Sequence, residues 1–125
     1  NPLYKAKALR DQVLLWTTFD PIKKVERQLL YADKRIYAAK VLYEGGKSKL
    51  AISTATKAEK YLEQSVNASI RLLKTGVDVK SLLLTQAKST AKHQEILKTF
   101  QPPLENALKT NELMSQQVAQ ALLEN

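Results

Sequence analysis

Cysteine is absent from this chain, and glycine and proline are scarce, at three and four in 125 residues. Without Cys, neither a disulfide framework nor a zinc–thiolate site is available. So few turn formers, with only one Trp, two Phe and five Tyr, leave little from which to build a fold of many short strands. A single His supplies too few ligands for a histidine-based metal site. No apolar run approaches the roughly 20 residues that a membrane-spanning helix requires. An initiator Met and a signal peptide are missing too. The chain opens on Asn1-Pro2, so it is expected to be processed or trimmed, with any targeting segment upstream.

What is present favours helices. Ala, Leu, Lys, Gln and Glu, the good helix formers, dominate, and the length suits one domain, 1–125, around one core. The net charge of +8 is unevenly placed: residues 1–76 hold 15 Lys/Arg against 7 Asp/Glu, and residues 77–125 hold five of each. That asymmetry divides the domain into a basic part of three helices and a neutral part of two, with different neighbours.

The apolar spacing sets out the helices. Leu3, Ala6, Leu9, Val13 and Trp16 mark a first helix ending near Thr17. Pro21 disfavours helical geometry at Asp20, so the chain must turn there. Asp20 is placed to cap the helix that follows, and Phe19 to pack on its first turns as a staple. In the second helix Ile22, Val25, Leu29, Ala32, Ile36, Ala39 and Tyr43 alternate spacings of three and four. That is a heptad seam over about 22 residues, or roughly 33 Å. Gly45-Gly46 ends it. A third helix, about 48–75, turns Ala51, Ala55, Ala58, Leu62, Val66, Ile70 and Leu73 inward, making a central antiparallel hairpin with the second. Gly76 ends that helix. Asp78 caps a fourth, reaching about Thr99, with Val79, Leu82, Leu83, Ala87, Ile96 and Leu97 apolar. Pro102-Pro103 precedes a fifth helix from Pro103. The expected fold class is all-α, a single-domain bundle of about five helices.

Sites are sparse by the same inspection. No Ser–His–Asp set, paired-carboxylate spacing or Gly-rich phosphate loop stands out, so no catalytic, cofactor-binding or metal-binding residue is assigned. Gly45-Gly46-Lys47-Ser48 lacks the upstream Gly and the preceding strand of a phosphate loop and is a helix cap. His93 is read as a partly buried or surface residue, since Glu95, two positions on, lies on another helix face. Gln86, Thr90 and His93 share one face of the fourth helix; they line a polar groove or face solvent, and solvent is the expectation because Gln and Thr tolerate exposure. Lys5, Lys7, Arg10, Lys23, Lys24, Arg27, Lys34 and Arg35 form a candidate anion or partner surface, interrupted by Asp20, Glu26 and Asp33. Leu30, Tyr31, Tyr37 and Val41 lie off the main seam and form a candidate apolar assembly strip.

Several short motifs occur together and in order: Asn1-Pro2-Leu3-Tyr4, Phe19-Asp20-Pro21, Ala32-Asp33-Lys34-Arg35, Glu44-Gly45-Gly46-Lys47 and Ala55-Thr56-Lys57-Ala58-Glu59-Lys60-Tyr61. In that order, over about residues 1–73, they resemble a bacterial domain of unknown function, number 5667 in that series. The resemblance implies a helical fold, an extracytoplasmic or secreted location behind an export signal, and no known catalytic residues. A tetratricopeptide array is set aside because no period of about 34 residues recurs.

Two functions follow as expectations. One is a non-enzymatic helical interaction module that contacts a protein partner or other copies of itself. The alternative is an electrostatic binder of a polyanion (anionic lipid, an acidic cell-surface polymer or, less favoured, nucleic acid) through the basic first 76 residues.

Overall fold

A computed structural model describes residues 20–124 of the protein. They form four helices and, among the described residues, no strand: α1 (Pro21–Glu44), α2 (Ser48–Lys74), α3 (Lys80–Leu97) and α4 (Glu105–Glu124). The helix expected to end near Thr17, and the Phe19 staple, lie outside the described residues.

Each boundary has a local cause. Asp20 is extended and its Oδ1 accepts from the N–H groups of Ile22, at 2.9 Å, and Lys23, at 3.4 Å. Pro21 occupies the first helical position, where a missing N–H costs no bond. At the other end of α1, Gly46 adopts a left-handed φ of 82°. Its N–H reaches the Tyr43 carbonyl and that of Lys47 reaches the Leu42 carbonyl, which closes the helix with a Schellman motif. The end of α2 repeats the device: Gly76 has φ 89°, and Gly76 and Val77 donate to Leu73 and Leu72. Asp78 then accepts from the Lys80 N–H at 3.1 Å.

The link before α4 departs from the sequence expectation. Helix α3 stops at Leu97 rather than Thr99, and α4 starts at Glu105 rather than Pro103. Phe100 is the reason: it is buried at 1 % exposure and meets Tyr43 edge-on at a centroid distance of 4.6 Å. The Gln101 N–H donates to the Tyr43 hydroxyl at 3.0 Å. Anchoring these two residues on α1 pulls the chain off the helical path before the prolines are reached.

Among the described helices, α1 and α2 share the most extensive contact. Their seam residues are buried as spaced, Val25, Leu29, Ala32, Ile36 and Ala39 against Ala51, Ala55, Ala58, Leu62 and Val66. Ala51, Ala55 and Ala58 of α2 have no exposed surface, so the backbones approach closely at that end. Helix α4 adds Ala107, Met114, Val118 and Ala121. The core is nevertheless not one apolar mass. One cluster gathers around Val25, Leu29, Leu62, Leu83, Met114 and Val118, and a second around Ile36, Ala55, Ile96, Leu97, Phe100 and Ala107. In each helix the residues of the two clusters flank a central polar position.

Candidate functional site

That central layer is built from one or more polar side chains per helix. Asp33 of α1 follows Ala32; Glu59 of α2 falls between Ala58 and Leu62. Asn111 of α4 continues the seam Ala107, Asn111, Met114, Val118, Ala121 at spacings of four, three, four and three. On α3 the run Leu83, Gln86, Thr90, His93, Leu97 keeps the spacing of an inward seam but replaces its middle with polar groups. The sequence expectation for Gln86, Thr90 and His93 is a solvent-facing position; the structure instead buries them, at 0 %, 1 % and 0 % exposure. Position on the seam outweighs their tolerance for water because each finds a partner inside.

His93 is the centre. Its Nδ1 lies 2.8 Å from Oε2 of Glu59 and its Nε2 lies 2.9 Å from Oδ1 of Asp33. Glu59 is itself buried, and its other oxygen accepts from Asn111 Nδ2 at 3.1 Å. The same Asn111 amide donates to the Thr90 carbonyl at 3.0 Å. Ser89 donates its hydroxyl to Asp33 Oδ1. A neighbouring set extends the layer: Gln86 Nε2 donates to Ser65, at 2.8 Å, and Ser69, at 2.9 Å, and Ser65 donates to the Val25 carbonyl at 3.2 Å. Burial pushes the His93 pKa down, but hydrogen bonds to Asp33 and Glu59, and the charges of both, outweigh it. The net direction is upward from the ordinary 6.5.

The geometry limits what this layer does. Both imidazole nitrogens are taken by carboxylates, and the Ser89 hydroxyl points to Asp33 instead of His93. Among the described residues no group of three or more His, Asp or Glu is arranged to hold a metal ion. The arrangement fixes three helices to one ring through two hydrogen-bond contacts with carboxylates and binds the fourth through Asn111.

The candidate surfaces lie outside. Leu30, Tyr37 and Val41 are exposed, at 49 %, 47 % and 68 %, and their spacings of seven and four put them on one face of α1. Tyr31 does not belong with them. It is half-buried on another side of the helix, edge-on to Tyr61 at 5.7 Å, with the Arg35 guanidinium 4.7 Å from the Tyr61 ring centroid. Arg35 is therefore also withdrawn from the expected basic surface, its charge spent on two aromatic faces. Lys23, Lys24 and Lys34 are exposed, while Arg27 is half-buried and engaged. Lys5, Lys7 and Arg10 lie outside the described residues. Of the interspersed acids, Asp20 is a helix cap and Asp33 serves His93, so neither acts as a simple neutraliser of the basic face. Glu26 and Asp33 line a groove floored by Ile22, Leu29, Leu30 and Leu82. No described helix is long and apolar enough to cross a membrane.

Sequence reasoning missed Glu59, Asn111 and Asp33 as parts of one site. The available signal was partial: α3 and α4 carry polar residues on their inward seams, and Asp33 and Glu59 each directly follow a buried seam Ala on α1 and α2.

No curated protein and no solved structure matches the chain. A family model does, over residues 1–107, further than the expected span of about 1–73. The chain belongs to that family, the Domain of unknown function (DUF5667).

Proposed function

We propose that the protein is a non-enzymatic helical module that joins a protein partner, or other copies of itself, outside the cytoplasm. The observation that carries this reading is the exposed face Leu30, Tyr37 and Val41 on α1. It stands on a helix whose opposite side is already buried against α2, in what we take to be the central antiparallel hairpin. A helix apolar on two sides has more surface to bury than one neighbour covers. The polar residues at mid-core support a structural role, since both nitrogens of His93 and both oxygens of Glu59 are engaged within the layer. The test is analytical ultracentrifugation over a concentration series at low and at high salt, together with capture of partners from the native source. Assembly through this face supports the proposal; a chain that is monomeric throughout and captures no partner overturns it. The extracytoplasmic location rests on the family resemblance, and the gene sequence upstream of Asn1 tests it: an export signal is expected there.

A second reading, electrostatic binding of a polyanion, is favoured by Lys23, Lys24 and Lys34, all exposed on α1. Salt separates the two. Binding through released counterions falls by orders of magnitude between low and about 0.2 M salt, whereas apolar contact persists.

A further inference from the structure

His93 invites a question that the surface does not answer, namely which protonation state this geometry requires. A neutral imidazole carries one N–H donor and one acceptor. Here both nitrogens face carboxylate oxygens at hydrogen-bond distance, 2.8 Å and 2.9 Å. An ionised carboxylate only accepts, so a neutral ring would set one nitrogen lone pair against an oxygen lone pair in a buried site. The doubly protonated ring satisfies both. The charged groups that face it are Asp33 from α1 and Glu59 from α2; α4 presents the uncharged Asn111, which holds Glu59 in place. On its own helix the neighbours in the layer are the uncharged Ser89 and Thr90.

We propose that His93 is a proton-operated latch: doubly protonated it ties α1 and α2 to α3, and losing one proton loosens α3 from both. Two features make this a reversible device and not only a core ion pair. The Asp33 side chain is 38 % exposed while the His93 ring is 0 % exposed, so the proton has a solvent-facing partner through which to leave without global unfolding. Helix α3 makes far less contact with α1 and α2 than those two make with each other, and the His93 ring reaches carboxylates of both. The two apolar clusters lie on either side of this layer, and the latch joins them at mid-height. The inference is independent of the assembly proposal, because it concerns the interior and not the α1 surface.

The chain has one histidine, so the imidazole C–H resonances of the intact protein report this residue without ambiguity. An NMR titration from about pH 5 to pH 10 gives its midpoint relative to the reference of about 6.5. Amide-exchange protection, corrected for intrinsic rates, is followed in the same samples. The expected result is a midpoint above the reference and a fall in protection along α3 that begins near the reference value and is complete near the His93 midpoint, tenfold in all for each unit by which the midpoint is raised. In Asp33→Asn, which alters the partly exposed edge of the layer, the midpoint moves down and the fall in protection shrinks. In His93→Gln the pH step in protection disappears. Should His93→Gln fail to fold, Asp33→Asn carries the comparison alone. A midpoint at or below the reference, no titration across the range, or protection along α3 that does not fall between the reference value and the His93 midpoint each overturns the latch.

Discussion

An imidazolium between two carboxylates is held by attraction that must first offset the loss of water, several kcal/mol for each buried ion. Its value is therefore seen less in making the layer than in breaking it. Glu59 is buried, and Glu59→Ala leaves His93 Nδ1 unpaired and the Asn111 amide with the Thr90 carbonyl alone, a loss expected to be about 3–5 kcal/mol. Ile36→Ala, a cavity in the lower cluster, is expected to lose a similar 2–5 kcal/mol, roughly. Size alone does not distinguish the two; pH does. The His93 pKa is raised in the folded state, so its stabilisation is fully present below the unfolded value of about 6.5 and is lost as pH rises through the folded value. The deficit of Glu59→Ala relative to wild type should accordingly shrink as pH rises, whereas that of Ile36→Ala stays constant. Urea denaturation at about pH 6 and pH 9 checks this. None of it was visible at the level of spacing, because the partners of His93 lie 34 and 60 positions away. A local rule finds that Glu95 is on the wrong face and stops there.

At the scale of the element, sequence and structure agree where the cause is local, except at the start of α3, whose N-cap is Val79 and not the expected Asp78. The α1 seam, the Asp20 cap and the two left-handed glycines each depend on residues within about one turn, and each is found where the spacing places it. The expected ends of α3 and α4 fail for the opposite reason, since they are set by Phe100 and Gln101 docking on Tyr43, 57 and 58 positions earlier. Two substitutions test the local causes. Asp20→Ala removes the acceptor of the Ile22 and Lys23 N–H groups and is expected to destabilise by about 1 kcal/mol. At Gly46 an added Cβ meets nothing within 4 Å, and the strain comes from φ alone. Gly46→Ala should thus lose about 1–2 kcal/mol, and Gly46→Asn, which tolerates the left-handed region better, should lose less. Thermal or urea unfolding of the three variants reads these directly; equal losses for Ala and Asn at position 46 would put the cause elsewhere.

For the whole molecule the deciding comparison is between apolar area and charge. The net charge is +8, and Lys34 sits on the same face as Leu30, Tyr37 and Val41, four residues after the first and three before the second. Both kinds of contact are thus offered by one surface. A fully buried Leu or Val is worth roughly 1.5–3 kcal/mol, an exposed ion pair usually under about 1 kcal/mol, and salt screens only the second. Assembly through this face should then survive about 0.5 M salt, where polyanion binding has fallen by orders of magnitude. The pair Leu30→Glu and Val41→Glu sharpens the test. Both positions are exposed, so each change should alter monomer stability by no more than about 0.5 kcal/mol. The same two carboxylates, carried into an apolar contact without a partner, should abolish it. Ultracentrifugation of the double variant beside wild type, at both salt concentrations, gives the answer. Loss of assembly in the variant with unchanged unfolding places the contact on α1, and wild-type association that disappears with salt assigns it to the lysines instead.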